Sequence, residues 1–147
     1  MFKISTVREW MSSPALVIQP EALIGSAHEI MRTRHVRRLA VVDEQSRLVG
    51  IVTLGDVREA KPSDATTFNI WELSYLYGQF TVEKIMSHEV ITIQDTDTII
   101  SAAKLMLDHK ISGLPVVNHK GSLIGMITES DIFRMVVKTG TPVAATG

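Results

Sequence analysis

Two seven-residue segments carry residue types from which a ligand site can be built: Gly50-Ile51-Val52-Thr53-Leu54-Gly55-Asp56 and Gly125-Met126-Ile127-Thr128-Glu129-Ser130-Asp131. Each runs glycine, two apolar residues, threonine and, three residues later, aspartate. At a strand-to-helix junction Thr-x-x-Asp has the spacing of a capping box, in which the threonine oxygen takes a backbone N–H one turn in. Such a cap contributes about 1 kcal/mol. The same geometry also suits a nucleoside phosphate. A helix N-terminus offers unpaired N–H groups and the positive end of a dipole to a phosphate, and the threonine hydroxyl adds a donor. The aspartate accepts two hydrogen bonds from a ribose diol, and the glycine leaves room for a flat ring against the strand. Both readings stay open on spacing alone. Catalysis finds no comparable foothold, because the chain has no repeated His–carboxylate or Ser–base pairing and no Gly-x-x-x-x-Gly-Lys phosphate loop. The chain reads as a binder, not an enzyme.

The two segments recur because most of the chain recurs. Met11-Ser12, Ile18-Gln19, Ser26-Ala27, Met31, Leu39, Val41-Val42, Leu48, Gly50, Thr53 and Asp56 return 75 residues later, without gaps. They become Met86-Ser87, Ile93-Gln94, Ser101-Ala102, Met106, Leu114, Val116-Val117, Leu123, Gly125, Thr128 and Asp131. A repeat in fixed register means one supersecondary unit used twice, each copy supplying what the other lacks. Each copy reads strand, helix, strand, strand, helix, an α+β pattern. Ala15–Ile18 and Val90–Ile93 are short extended segments. Ile24, Ala27, Ile30 and Met31 then recur at helical spacing, as do Ile99, Ala102, Leu105 and Met106. Asp95, Thr96 or Asp97 is the expected N-cap of the latter helix. Leu39–Val42 with Leu48–Val52, and Leu114–Val117 with Leu123–Ile127, read as buried strand pairs joined by polar turns. Thr53 and Thr128 open the closing helices, the second reaching about Lys138 with Ile132, Phe133 and Val136 on one face. The domain boundaries read as 7–60 and 82–138. Residues 61–81 form a linker with an aromatic helix through Phe68, Trp71, Tyr75 and Leu76, and 139–147 a flexible tail.

Composition narrows the partners. A net charge of −1 argues against general nucleic-acid or anionic-membrane binding. Arg32, Arg34, His35, Arg37 and Arg38 form a local basic cluster, read either as cations at a helix C-terminus or as phosphate ligands. The absence of cysteine excludes disulfides and thiol chemistry. The five histidines share no metal-ligand spacing. No apolar signal core or membrane-length run is present, so the expectation is a soluble, cytoplasmic protein.

From about Val7 to Val136, the paired copies, with Leu114-Pro115-Val116-Val117 and the two Gly-h-h-Thr-x-x-Asp segments, resemble a pair of CBS domains, the Bateman module. The resemblance implies two β-α-β-β-α repeats packed about a pseudo-twofold axis, with ligand clefts between them, and a disc-like homodimer. It implies that aspartate holds ribose hydroxyls and the hydroxyl residue holds ribose or phosphate. Those roles fall on Asp131 with Thr128 and on Asp56 with Thr53, and Ser130 matches a further hydroxyl of some members. Main chain around Ser112-Gly113-Leu114-Pro115, with Met126 and the strand near Thr92-Ile93, would flank adenine at the second site. In the first copy Arg37-Arg38-Leu39-Ala40 replaces Ser112–Pro115. That narrows the first adenine slot but matches members that grip phosphates with a basic pair, a role guanidinium forks suit. One good site, using Asp131 and Thr128 with Arg37 and Arg38 on the phosphates, is expected over two equal ones. The implied function is a non-catalytic sensor of AMP, ADP or ATP that acts on a separate effector protein. The alternatives are an S-adenosylmethionine binder, which needs no phosphate ligands, and an interaction module whose Thr-x-x-Asp segments serve only as caps.

Overall fold

The hydrophobic pattern closes around two separate cores, each built on a three-stranded sheet. In the computed structural model, residues 4–60 and 79–140 are described. The expected aromatic helix at Phe68–Leu76 and the tail beyond Gly140 lie outside them. Described elements run α1 (Val7–Trp10), β1 (Val17–Ile18), α2 (Ile24–Arg34), β2 (Arg38–Val42), β3 (Leu48–Thr53) and α3 (Leu54–Glu59). They continue α4 (Val82–Ile85), β4 (Ile93–Gln94), α5 (Ile99–His109), β5 (Gly113–Val117), β6 (Leu123–Thr128) and α6 (Glu129–Thr139).

The first sheet has the order β1-β2-β3 and the second β4-β5-β6. In each, the central strand pairs parallel with the short one and antiparallel with its hairpin partner. Both hairpins shift register at the same repeat position, between Val41 and Val42 and between Val116 and Val117. Their turns match too. Asp43 Oδ1 accepts the N–H groups of Gln45 and Arg47, and Asn118 Oδ1 those of Lys120 and Ser122. A positive φ follows in each turn, at Ser46 and at Gly121.

Of the described residues, 16–60 and 79–90 form one compact unit, and 4–15 with 91–140 form the other. The leading segment of each copy is therefore exchanged. Val82 of α4 is fully buried in the core of Ile24, Leu39, Val41 and Val52. Val7 of α1 is fully buried in that of Ile99, Leu114, Val116 and Ile127. A β-bridge fastens each exchanged segment. Ser12 and Met126 trade both backbone hydrogen bonds at 2.9 Å, and Ser87 and Ile51 do so at 2.9–3.0 Å.

Two sequence expectations are corrected. The N-cap of α5 is Thr98, whose hydroxyl accepts the Ser101 N–H at 3.1 Å. Asp97 instead accepts the Gln94 N–H, and Asp95 is buried with Arg8 Nε at 3.2 Å. The turn before the helix holds four eligible capping residues in a row, Asp95 to Thr98, and composition does not rank them. On α6, Ile132 and Met135 pack on the core, while Phe133, Val136 and Val137 are exposed. The three named apolar positions therefore do not share a face, and α6 carries a second apolar stripe on its outer side.

Candidate functional site

The second copy builds its motif at the junction of β6 and α6. β-branched Thr128 ends the strand in an extended conformation and becomes the helix N-cap. One turn on, Asp131 folds back so that its Oδ2 accepts the Thr128 backbone N–H at 2.9 Å and the Thr128 hydroxyl at 3.2 Å. Asp131 is only 3% exposed. A buried carboxylate needs a counter-charge, and Arg134, one turn further, supplies it: Nη1 donates to Oδ1 at 2.7 Å. The Arg134 side chain is 49% exposed, whereas that of Asp131 is 4% exposed. Across the hairpin Gly113 pairs with Thr128, and the Glu129 N–H, the first of α6, donates to Ser112 O at 3.0 Å. Thus Ser112, Gly113, Thr128 and Asp131 converge on one end of the sheet.

The other expected members of this site lie at stated depths. Leu114, Ile93 and Pro115 are buried, the first two in the hydrophobic core, which commits their side chains. Met126 is buried opposite Pro115, with its backbone N–H and C=O both taken by Ser12. Thr92 precedes β4 and is half-buried; Ser130 is exposed in the first turn of α6.

The first copy repeats the cap on a smaller scale. The Thr53 N–H donates to Asp56 Oδ2 at 2.9 Å and the Asp56 N–H to Thr53 Oγ1 at 3.1 Å. Asp56 is half-buried, and α3 runs only six residues. Arg37 O accepts the Leu54 N–H, and Arg38 pairs with Thr53, so both arginines belong to the unit of Thr53 and Asp56. The rest of the basic cluster divides differently. Arg32 pairs with Glu29 at 2.7 Å, and His35 is the left-handed C-cap of α2. Where Arg134 steadies Asp131, the first copy has Glu59, which has the same charge sign as Asp56.

The capping reading of Thr-x-x-Asp therefore holds in both copies, and it does not remove the motif from ligand chemistry. The expected role of the glycines is corrected. A Cβ on Gly125 would meet Ser12 O at 2.7 Å and Met11 Sδ at 2.9 Å. A Cβ on Gly50 would meet Met86 Sδ at 2.6 Å and Ser87 O at 2.9 Å. The space is filled by the exchanged Met-Ser segment, not left for a ring. Arg134 went unmarked in sequence; an Arg three residues after a motif aspartate, on its own helix, was the available signal. Among the described residues there is no cluster of potential metal ligands and no helix long and apolar enough to cross a membrane.

Two β-α-β-β-α repeats with this topology define a class. The CBS domain family matches residues 7–63 and 82–138, and the chain belongs to it as a tandem CBS pair. A CBS domain-containing protein of Dictyostelium discoideum is 34% identical over 93% of this chain and 94% of its own length. Among solved structures, the CBS domain pair of protein MJ0100 in complex with 5′-methylthioadenosine and S-adenosylmethionine has a TM-score of 0.77 at 28% identity, covering 93% of this chain and 99% of that one. CBSX2 in complex with AMP has a TM-score of 0.76 at 26% identity, covering 92% and 98%. Several relatives are enzymes of which this chain spans about a quarter.

Proposed function

We propose that this CBS pair is a non-catalytic sensor that binds an adenine nucleotide (AMP, ADP or ATP) at the Thr128–Asp131 end of the second copy and signals to a separate effector protein. The observation that carries the reading is Asp131: a buried, oriented carboxylate one turn inside an eleven-residue helix, at the end whose positive dipole favours phosphate. The AMP in CBSX2 and the adenosyl ligands in MJ0100 support the ligand class. In this reading Asp131 takes ribose hydroxyls, Thr128 and Ser130 meet ribose or phosphate, and main chain near Ser112–Pro115 and Met126 flanks adenine.

Self-association belongs to the same proposal and runs through the second copy. Ile100 and Leu107 on α5, and Phe133, Val136 and Val137 on α6, are exposed. The corresponding residues of the first copy are Gly25, Arg32, Arg58, Lys61 and Pro62. Exposed apolar residues gathered on two helices suit a protein interface, and the sequence of the first copy does not repeat them at these positions.

The test is thermal unfolding with AMP, ADP, ATP, GTP and S-adenosylmethionine, for the protein and for Asp131→Asn. A ligand at about 100 times its dissociation constant stabilises by about 2.7 kcal/mol. The expected result is a rise in midpoint with adenine nucleotides that Asp131→Asn abolishes. No rise with any of them in the folded protein leaves the interaction module as the function.

A further inference from the structure

Resting on that reading, we infer that Arg134 sets the charge selectivity of the second-copy site, favouring adenosyl ligands that carry phosphate over the S-adenosylmethionine sulfonium. An ionised carboxylate has about four acceptor directions. Thr128 takes both directions of Asp131 Oδ2, and Arg134 takes one of Oδ1. One direction is left, which is too few for a ribose diol held by two hydrogen bonds. A diol therefore takes the place of Arg134 on Oδ1.

The released guanidinium then stands one turn along α6 beside a bound ribose, half exposed and without its direct ion-pair contact. A ligand phosphate replaces that contact with an anion of its own, in the planar fork geometry arginine matches. Neutral adenosine supplies none, and a sulfonium repels it. The aspartate keeps its charge but, with the diol on Oδ1, no longer touches the guanidinium and offsets its charge less. The first copy has no such device, because Glu59 occupies the corresponding position. Arg134 thus works as an internal placeholder for the diol and as the phosphate's partner once displaced.

The experiment compares dissociation constants of adenosine, AMP and S-adenosylmethionine by calorimetry for the full chain, Arg134→Gln, Arg134→Lys and Asp131→Asn. Ligand-free thermal midpoints check each fold. The original protein is expected to prefer AMP over adenosine, and Arg134→Gln to shrink that preference about tenfold, as loss of a charged hydrogen bond does. The same variant binds S-adenosylmethionine more tightly relative to adenosine, and Arg134→Lys keeps most of the preference. An AMP-to-adenosine ratio that Arg134→Gln leaves unchanged, while Asp131→Asn abolishes binding, overturns the role of Arg134 and leaves the nucleotide reading intact. Failure of the original protein to bind any of the three overturns both.

Discussion

Gly125→Ala adds one methyl group where β6 receives the exchanged N-terminal segment, and the structure gives it no room. The new carbon would lie 2.7 Å from Ser12 O and 2.9 Å from Met11 Sδ. The methionine side chain can turn, but the carbonyl cannot easily move. The Ser12 main chain is held by two 2.9 Å hydrogen bonds to Met126, and the Ser13 hydroxyl donates to Ile124 O at 2.7 Å. Overpacking of this kind costs about 1–3 kcal/mol. Replacing glycine recovers about 0.4–1 kcal/mol through the unfolded chain. The net expectation is a loss of about 1–2 kcal/mol, which lowers the thermal midpoint by about 2–8 °C for a chain of this length. Gly25→Ala is the control, because nothing lies within 4 Å of a Cβ placed there, in the first turn of α2. The same chemical change there should raise the midpoint by about 1–4 °C. Circular dichroism melts of the three proteins read the result. A Gly125→Ala midpoint at or above that of the original would refute the close seating of Met11-Ser12 on β6.

Two further outcomes are expected. Hydrogen bonds from the Arg47 backbone chiefly, with its side chain and Gln45, hold the Asp43 carboxyl below the ordinary aspartate value of 3.8. A depressed value means a stabilising contribution present above that pH and lost as pH falls below it. Asp43→Asn, which reproduces the Asn118 turn of the second copy, should flatten the acid limb of urea midpoint against pH, and an unchanged limb would count against this turn as its source. On α6, Phe133 is 62% exposed in the apolar stripe. Phe133→Asp should convert a dimer to a monomer by sedimentation, and an unaltered mass would place self-association elsewhere.

The repeat made the strands and long helices legible, because buried β-branched runs and a 3.6-residue apolar period are local patterns. Thr53, Asp56, Thr128 and Asp131 stood out for the same reason: their spacing along the chain is their spacing in space. What escaped sequence reading depends on partners distant in the chain. The glycines of both motifs look like space for a ligand until Met11-Ser12 and Met86-Ser87 are found against them. Those dipeptides were visible as repeats, but their bridges to β6 and β3 span more than 30 residues. Phe133 fits a helix face as well as Ile132 does, and only packing on α5, β6 and α1 decides which turns inward. Arg134 was hidden by its ordinariness, since an arginine three residues from an aspartate is common on helices. Only the burial of Asp131 makes it matter.

The exchange of α1 and α4 makes the duplication irreversible. A single copy cut from the chain along its own repeat, 7–60 for example, would carry Val7, which belongs in the other core, and lack Val82 and Met86, which fill its own. It would also bare the edge of β3 that Ser87 now closes, and an open strand edge pairs with whatever strand it meets. The two copies can therefore differ in their side chains, as Arg37 and Arg38 against Ser112 and Gly113 do, yet neither copy can be removed without opening the other's core. Whatever each repeat binds, each is a structural part of the other.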